Sequence, residues 1–97
     1  IEIRQTDTFR EWLLSLRDAR AKQKIASRIQ RLRFGNPGDV KPVGAGVSEM
    51  RINEGPGYRV YFVQRGSVLV VLLCGGTKRR QQADIEQAKR LAAEMEG

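Results

Sequence analysis

The stretch SEMRINEGPGYRVYF, residues 48–62, decides the fold of this chain of 97 residues. Polar and apolar residues alternate on both sides of a compact turn signal, Glu54-Gly55-Pro56-Gly57. A period of two predicts strands, here over Glu49–Asn53 and Tyr58–Gln64. Glycine and proline between them supply the backbone conformations of a tight reversal. Residues 48–62 therefore predict a β-hairpin.

A third strand is predicted immediately after this hairpin. Val68–Cys74 is apolar at every position, and Arg65-Gly66 provides the turn that leads into it. A strand without alternation is buried on both faces, which indicates an interior place in the sheet. The three strands together predict an antiparallel meander.

One strand and one helix are predicted at the beginning of the chain. Ile1–Arg4 alternates apolar with polar residues and predicts a short, half-buried strand. Thr8 and Glu11 fit a capping box, in which each side chain satisfies a backbone amide of the first turn. Apolar residues then recur at helical spacing, which predicts a first helix from about Thr8 to Arg17.

A second helix, a loop and a closing helix complete the chain. Asp18 can cap the second helix, and Gly35 can end it in the left-handed conformation. Asn36–Val47 contains glycines and prolines without a period, which predicts a loop. The closing helix is indicated by apolar residues at helical spacing, namely Ile85, Ala88, Leu91, Ala92 and Met95. The order predicts a single α+β domain over residues 1–97, β-α-α-β-β-β-α, with a small antiparallel sheet, a helical hairpin and a C-terminal helix.

The charge balance indicates an anionic partner. Eighteen Lys and Arg residues against 11 Asp and Glu residues give a net charge of +7. Such a surplus attracts phosphate backbones, anionic membranes or an acidic protein, although solubility alone is an alternative explanation. Cys74 is the single cysteine, and the longest apolar run is far shorter than a membrane span. We expect a cytosolic protein with no intramolecular disulfide and no membrane insertion.

Two arginines are predicted to lie side by side on the hairpin. If the core residues Ile52 and Tyr58 pair across the turn, Arg51 falls opposite Arg59 on the same face of the sheet. Two adjacent guanidinium groups repel unless an anion lies between them or a nearby acid offsets the charge. The pair therefore indicates an anion-binding site; the alternative is two solvated arginines that splay apart.

A second basic cluster follows the third strand, in Gly75-Gly76-Thr77-Lys78-Arg79-Arg80. Small residues permit close approach of a backbone to phosphate, and three cations follow them. In a meander, the end of the third strand lies beside the start of the second, so Lys78 should lie near Arg51 and Arg59. The alternative is a basic turn exposed to water.

The second helix is also basic and has no acid between Ala19 and Phe34. It can follow a nucleic-acid backbone or receive an acidic partner, although a solvated face remains the alternative. Its cations are Arg20, Lys22, Lys24, Arg28, Arg31 and Arg33. The residues that we expect to contact RNA are Lys41, Tyr61, Arg79, Arg80, Arg20, Lys24, Arg28 and Arg31.

The residues that the chain lacks restrict its chemistry. There is no histidine, so an imidazole acid and base are excluded, and no paired acidic cluster suggests a metal or another cofactor. RNA can still be cut through its own 2′-hydroxyl, provided that cations neutralise the developing charge. Arg51, Arg59 and Lys78 are the candidate catalytic residues, with Lys78 as the hypothetical proton acceptor. Glu49 and Tyr61, which the same register pairs, are weaker candidates for proton transfer.

Four stretches carry a family resemblance: GNPGDVKPVG (35–44), SEMRI (48–52), GPGYRVYF (55–62) and LLCGGTK (72–78). The ordered set resembles the HigB-like addiction module killer proteins of the RelE/ParE superfamily. The resemblance implies a RelE-like fold and an antitoxin partner, commonly a helix-turn-helix DNA-binding protein. It also implies cleavage of messenger RNA in the ribosomal A site, with the basic residues at the positions of Arg51, Arg59 and Lys78 to Arg80.

Two rival functions remain open at this point. Members of the superfamily that are similar to ParE poison DNA gyrase, and a nonenzymatic RNA-binding module would also explain the charge. Arg51, Arg59 and Lys78 favour the nuclease. Several RelE-like nucleases place a tyrosine or histidine near the start of the last helix, where this chain has Gln81, Gln82 and Ala83, and the general acid and base are therefore unassigned.

Overall fold

The computed structural model describes residues 1–95 and has an α+β architecture. Its elements in chain order are β1 (Glu2–Gln5), α1 (Asp7–Ser15), α2 (Ala19–Arg33), β2 (Val40–Gly44), β3 (Val47–Ile52), β4 (Tyr58–Arg65), β5 (Leu69–Thr77), a 3-10 turn (Lys78–Arg80) and α3 (Gln81–Glu94). The sheet has five strands in the order β1-β5-β4-β3-β2. The predicted class, the meander of β3, β4 and β5, and the C-terminal helix are confirmed.

The sheet carries helices on both faces, and two apolar cores result. The first core lies between the sheet and helices α1 and α2, and it includes Phe9, Ile25 and Val60. The second core lies between the opposite face and α3, and it includes Val63 and Ala88. β5 is flanked by β1 and β4 and is buried along most of its length, as its unbroken apolar run predicts. None of the helices in residues 1–95 combines the length and the hydropathy that crossing a bilayer requires.

Two details of the predicted sheet need correction. β1 pairs with β5 in the parallel direction, so the sheet is mixed rather than wholly antiparallel. The predicted loop Asn36–Val47 contains β2, which pairs antiparallel with β3. The sequence did not predict this strand because it contains Pro42 and Gly44, and both residue types are depleted in strands. A tight reversal at Ala45 and Gly46, both with positive φ, joins β2 to β3.

The first helix begins and ends earlier than predicted. Thr6, rather than Thr8, caps α1: its hydroxyl accepts a hydrogen bond from the backbone N–H of Phe9 at 3.0 Å. The same hydroxyl donates to the carbonyl of Leu73 at 2.6 Å, which attaches the start of the helix to β5. The caps of α2 are confirmed, since Asp18 accepts from a first-turn amide and Gly35 follows the helix with φ of 84°.

A bulge in β5 changes which way its last residues point. Tyr61 pairs with Cys74 but Phe62 pairs with Leu72, so Leu73 is an extra residue in β5. Leu73 and Cys74 consequently both belong to the core under α3, whereas Leu72 belongs to the other core. A bulge of this kind re-aims the side chains that follow it.

The two glycines after the bulge lie inside β5 rather than in a loop. A Cβ atom on Gly75 would come within 2.6 Å of Trp12 Cδ2, and one on Gly76 within 2.7 Å of Asp84 Cγ. The predicted phosphate-binding role of these glycines is therefore replaced by a packing role, because they make room for one side chain on each face of the sheet. The basic segment Lys78–Arg80 does follow the strand directly.

Candidate nucleic-acid interface

The three candidate catalytic cations line one cleft of about 350 Å³. The predicted register is confirmed, with Arg51 opposite Arg59 in the β3–β4 ladder. Lys78 reaches the same place because its backbone N–H donates to the carbonyl of Gly57 at 2.9 Å. The sequence therefore predicted correctly that Arg51, Arg59 and Lys78 lie together. The other residues of the cleft are Asp39, Ile52, Asn53, Gly57 and Tyr58.

Arg51 is paired with an acid at the edge of the cleft. Its Nη2 lies 3.0 Å from Asp39 Oδ1, and both side chains are about half exposed, at 44% and 58%. The backbone N–H of Arg51 also donates to the carbonyl of Asp39 at 3.0 Å. An ion pair exposed to this degree is weak and screened by water and salt, so phosphate can compete for Arg51.

Arg59 is paired with a buried acid behind the cleft. Its side chain is 10% exposed, and its Nε lies 3.5 Å from Oε2 of Glu49, which is fully buried. That same oxygen accepts hydrogen bonds from the hydroxyl of Tyr61 and from Nε2 of Gln81, each at 2.9 Å. Arg51 is therefore paired with the exposed Asp39 and Arg59 with the buried Glu49, and these acids offset the repulsion between the two facing arginines.

Tyr61 does not reach the surface, contrary to its expected contact with RNA. Its side chain is fully buried between the sheet and α3. Burial and the hydrogen bond to the Glu49 carboxylate both raise the pKa of the Tyr61 phenol. The phenolate is therefore disfavoured, and the structure uses Tyr61 as a hydrogen-bond donor to Glu49 rather than as a base.

Three further basic residues that were predicted to contact RNA are exposed. Arg79 and Arg80 are exposed on the 3-10 turn that follows Lys78. Lys41 lies on β2 directly opposite Glu49, and its Nζ is 3.9 Å from Glu49 Oε1. These three residues extend the basic surface beyond the cleft.

The cations of α2 are divided between internal and external contacts. Arg28 donates to the carbonyls of Arg51 at 2.5 Å and Pro37 at 3.0 Å, which connects α2 to β3 and to the loop that follows the helix. Lys24 lies 3.3 Å from Glu54 Oε1. Arg28 and Lys24 are therefore engaged within the chain, and burial together with the neighbouring Arg31 lowers the pKa of Arg28.

A groove along α2 adjoins the cleft. It has a volume of about 270 Å³, it is lined by Lys24, Ser27, Arg28 and Arg31, and it shares Ile52 and Asn53 with the cleft. The sequence pattern predicted the basic surface of α2 separately from the cluster of Arg51, Arg59 and Lys78. Ile52 and Asn53 instead border both basic surfaces, and the exposed Lys24 and Arg31 are cations of α2 that line this groove.

Sequence reasoning missed the acids and amides that support the cleft. Asp39 is hidden within a segment that reads as a loop, and its contact with Arg51 follows from the undetected strand β2. Gln81 occupies the start of α3, where several RelE-like nucleases have a tyrosine or histidine, and its side-chain amide donates to Glu49. The alternation of Glu49 with core residues placed it on the correct face, but burial by α3 is not visible in that pattern.

The titratable groups near the cleft do not form a metal cluster. Within residues 1–95, no set of three histidine, cysteine, aspartate or glutamate side chains is arranged to hold a metal ion. Cys74 is buried and carries a free thiol, whose pKa burial raises to about 12. Asp84 is also buried, and this raises the pKa of its carboxyl despite the nearby Arg80.

Comparison with known proteins identifies the family. Residues 11–95 match the phage-derived Gp49-like proteins (DUF891), and the chain belongs to this family. It is a family of toxins from toxin–antitoxin modules, related to the RelE and HigB type. The chain is also 56% identical over 95 residues to an uncharacterized protein of Haemophilus influenzae, covering 98% of this chain and 96% of that protein. The α+β architecture is consistent with the RelE-like fold that the resemblance implies.

Proposed function

We propose that this protein is the toxin of a type II toxin–antitoxin system and cleaves messenger RNA on the ribosome without a metal ion. The observation that carries the proposal is the convergence of Arg51, Arg59 and Lys78 on one cleft. Cations at a single point can bind a phosphate and stabilise the charge that develops as it is attacked. Membership of a toxin family supports the biological role.

The proposed reaction uses the 2′-hydroxyl of the substrate as its nucleophile. Its oxygen forms a new bond to the adjacent phosphorus while the bond from phosphorus to the 5′-oxygen breaks, which leaves a 2′,3′-cyclic phosphate and a 5′-hydroxyl. Arg51 and Arg59 neutralise the phosphoryl oxygens. Lys78 takes the proton of the 2′-hydroxyl and returns it to the departing 5′-oxygen.

The proposed partners follow from the charge and the family. Lys41, Arg79 and Arg80 flank the cleft and would contact the RNA backbone on the α3 side, while Arg20 and Arg31 would contact it along α2. A cognate antitoxin, of the helix-turn-helix DNA-binding kind, would neutralise the toxin in the cytosol. The ribosome would present the messenger RNA in the alignment that the cleft requires.

A translation extract tests the proposal. Purified protein is added to the extract, and RNA 5′ ends are mapped. We expect new 5′-hydroxyl ends within coding sequences and their loss in Lys78→Met. Arg10→Met is a suitable control because Arg10 is an exposed cation on α1 that pairs with Asp7 outside the cleft.

The rival functions give different results in the same experiment. Intact RNA together with inhibited DNA supercoiling would identify a gyrase poison. RNA binding with steep salt dependence and no product, even with ribosomes present, would identify a nonenzymatic module. Cleavage that persists in Lys78→Met would exclude Lys78 as the proton acceptor.

A further inference from the structure

Glu49, the buried carboxylate behind the cleft, is not expected at a core position. Glu49 is 0% exposed on β3, where it lies two positions after the core residue Val47 and directly precedes the core residue Met50. A buried ionised carboxylate costs several kcal/mol unless it is paired and hydrogen-bonded, and an apolar residue would often be at least as stable there. A charge in this position therefore points to a role other than stability.

Glu49 contacts two cations: the half-exposed Lys41, whose Nζ lies 3.9 Å from Oε1, and the buried Arg59. Its Oε2 accepts from Tyr61 of β4 and Gln81 of α3, and these two bonds fix the carboxylate between the sheet and the helix. Arg59 presents its Nε to the same oxygen at 3.5 Å. At the other end of the guanidinium, Nη1 of Arg59 lies 3.8 Å from the position that a Cβ of Gly57 would take, on the wall of the cleft.

We propose that Glu49 is a positioning residue that holds the guanidinium of Arg59 with Nε turned inward and its terminal nitrogens turned toward the bound phosphate. The catalytic part of this inference rests on the proposed ribonuclease function. A donor that is already oriented need not reorganise during the reaction, and this is the main source of electrostatic catalysis in enzymes. Tyr61 and Gln81 act one step further away, by fixing Glu49.

The two arginines of the cleft then have different tasks. The pair between Arg51 and Asp39 is half exposed, so Arg51 can reorient and capture a phosphate. Arg59 is almost completely buried, and its counter-ion is fixed by two hydrogen bonds. Arg51 serves mainly in binding, and Arg59 serves mainly in stabilising the transition state.

Direct proton transfer by Glu49 does not fit this arrangement. Its carboxylate is fully buried behind Arg59, so a 2′-hydroxyl in the cleft is not within hydrogen-bond reach. The sequence-based suggestion that Glu49 exchanges a proton with the substrate is therefore replaced by a positioning role.

Glu49→Gln is the informative substitution because it keeps the shape and one acceptor oxygen but removes the charge. We expect kcat, normalised to the folded fraction, to fall about 10- to 100-fold, the size of effect that a misplaced catalytic group produces. The KM for RNA should stay constant or decrease, since a negative charge near the cleft is lost. Glu86→Gln, an exposed substitution of the same kind on α3, should change neither constant by more than about twofold.

A merely structural role of Glu49 predicts a different pattern. Destabilisation alone would reduce the folded fraction, as seen by circular dichroism, and leave kcat per folded molecule unchanged. That result would overturn the proposal. A rise in KM with an unchanged kcat would also overturn the proposal, because Glu49 would then affect RNA binding and not the chemical step.

A measurement without RNA separates this inference from the ribonuclease proposal. The Nε–H resonance of Arg59 in nitrogen-15 NMR should exchange slowly with water in the native protein, because the group is buried against Glu49. In Glu49→Gln the exchange should accelerate about tenfold or more, because Nε makes no hydrogen bond within residues 1–95 and loses its buried counter-ion, which leaves an uncompensated charge. Equal exchange rates in the two proteins would refute positioning. If the native protein cuts no RNA, the proposed function fails while this comparison still decides the role of Glu49.

Discussion

Removal of one cation from the cleft should change the salt dependence of RNA binding by a fixed amount. Each phosphate contact on a single strand contributes about 0.7 to the slope of log K against log salt concentration. If Arg51, Arg59 and Lys78 all face phosphate, they contribute a slope of about 2.1, an affinity loss of about 18-fold from about 50 to 200 mM salt. Lys78→Met should leave a slope of about 1.4 and a loss of about sevenfold from these residues.

Removal of the acid Asp39 at the edge of the cleft should increase the affinity for RNA, the opposite of removing a cation. Asp39 competes with phosphate for Arg51, and an exposed pair of this kind is worth about 0.2–1 kcal/mol. Asp39→Asn should therefore strengthen RNA binding by up to about fivefold. Arg51→Met should weaken it and reduce the slope by about 0.7, as Lys78→Met does.

Fluorescence anisotropy with a labelled RNA that carries 2′-deoxy substitutions measures binding without cleavage. The titration is repeated at several salt concentrations for each variant. Arg10→Met removes the same charge from the exposed face of α1 and should leave the slope unchanged. Folded variants of Arg51 and Lys78 with the native slope would refute the idea that these cations share one phosphate site.

Three further predictions concern the fold that supports the cleft. Gly75→Ala should lower the free energy of unfolding by about 1–3 kcal/mol in urea titration, because the added methyl meets the ring of Trp12; an unchanged midpoint would contradict this packing. Asp84→Asn should raise the melting temperature at pH 7, because burial raises the folded-state pKa of Asp84 and the native protein therefore loses stability as pH rises through that range. The advantage should vanish in acid below the ordinary aspartate pKa, and a pH-independent difference would contradict the assignment. Thr6→Ala should cost about 1–2 kcal/mol in the same urea titration, since α1 loses the cap at Phe9 and its bond to β5, and native stability would argue against this cap.

The β3–β4 hairpin could be predicted in detail because two local signals agree there. The turn at Gly55-Pro56-Gly57 fixes where the chain reverses, and the pairing of Ile52 with Tyr58 then determines every other pair. A slip of one residue would move the apolar set to the wrong face, so the register is strongly specified. The facing arginines followed from this register alone.

The missed features depend on contacts that are distant in sequence. β2 contains proline and glycine, and only its pairing with β3 makes it a strand. The bulge at Leu73 has no local sequence signal, because every residue around it is apolar. The cap at Thr6 was missed because Thr8 offered an equally good local pattern, while the bond from Thr6 to β5 favoured the other choice.

In the candidate site too, features set by local pattern were predicted and features set by distant contacts were missed. Clustering of Arg51, Arg59 and Lys78 follows from strand order, so the cations were predictable. Their acids were not, because Asp39 precedes the undetected strand and Glu49 is buried by a helix whose docking the local pattern does not reveal. The predicted contact of Tyr61 with RNA failed for the same reason.

The edge strand β2 carries residues that disfavour aggregation at high protein concentration. β2 forms one edge of the sheet, where an unpaired backbone could recruit a strand from another copy and begin fibril growth. Pro42 offers no N–H to such a strand, and the charge of Lys41 beside it disfavours close stacking of identical chains. Substitution of both by valine would turn this edge into an aggregation-prone surface, so Pro42, which obscures the strand in the sequence, also disfavours pairing with a second copy.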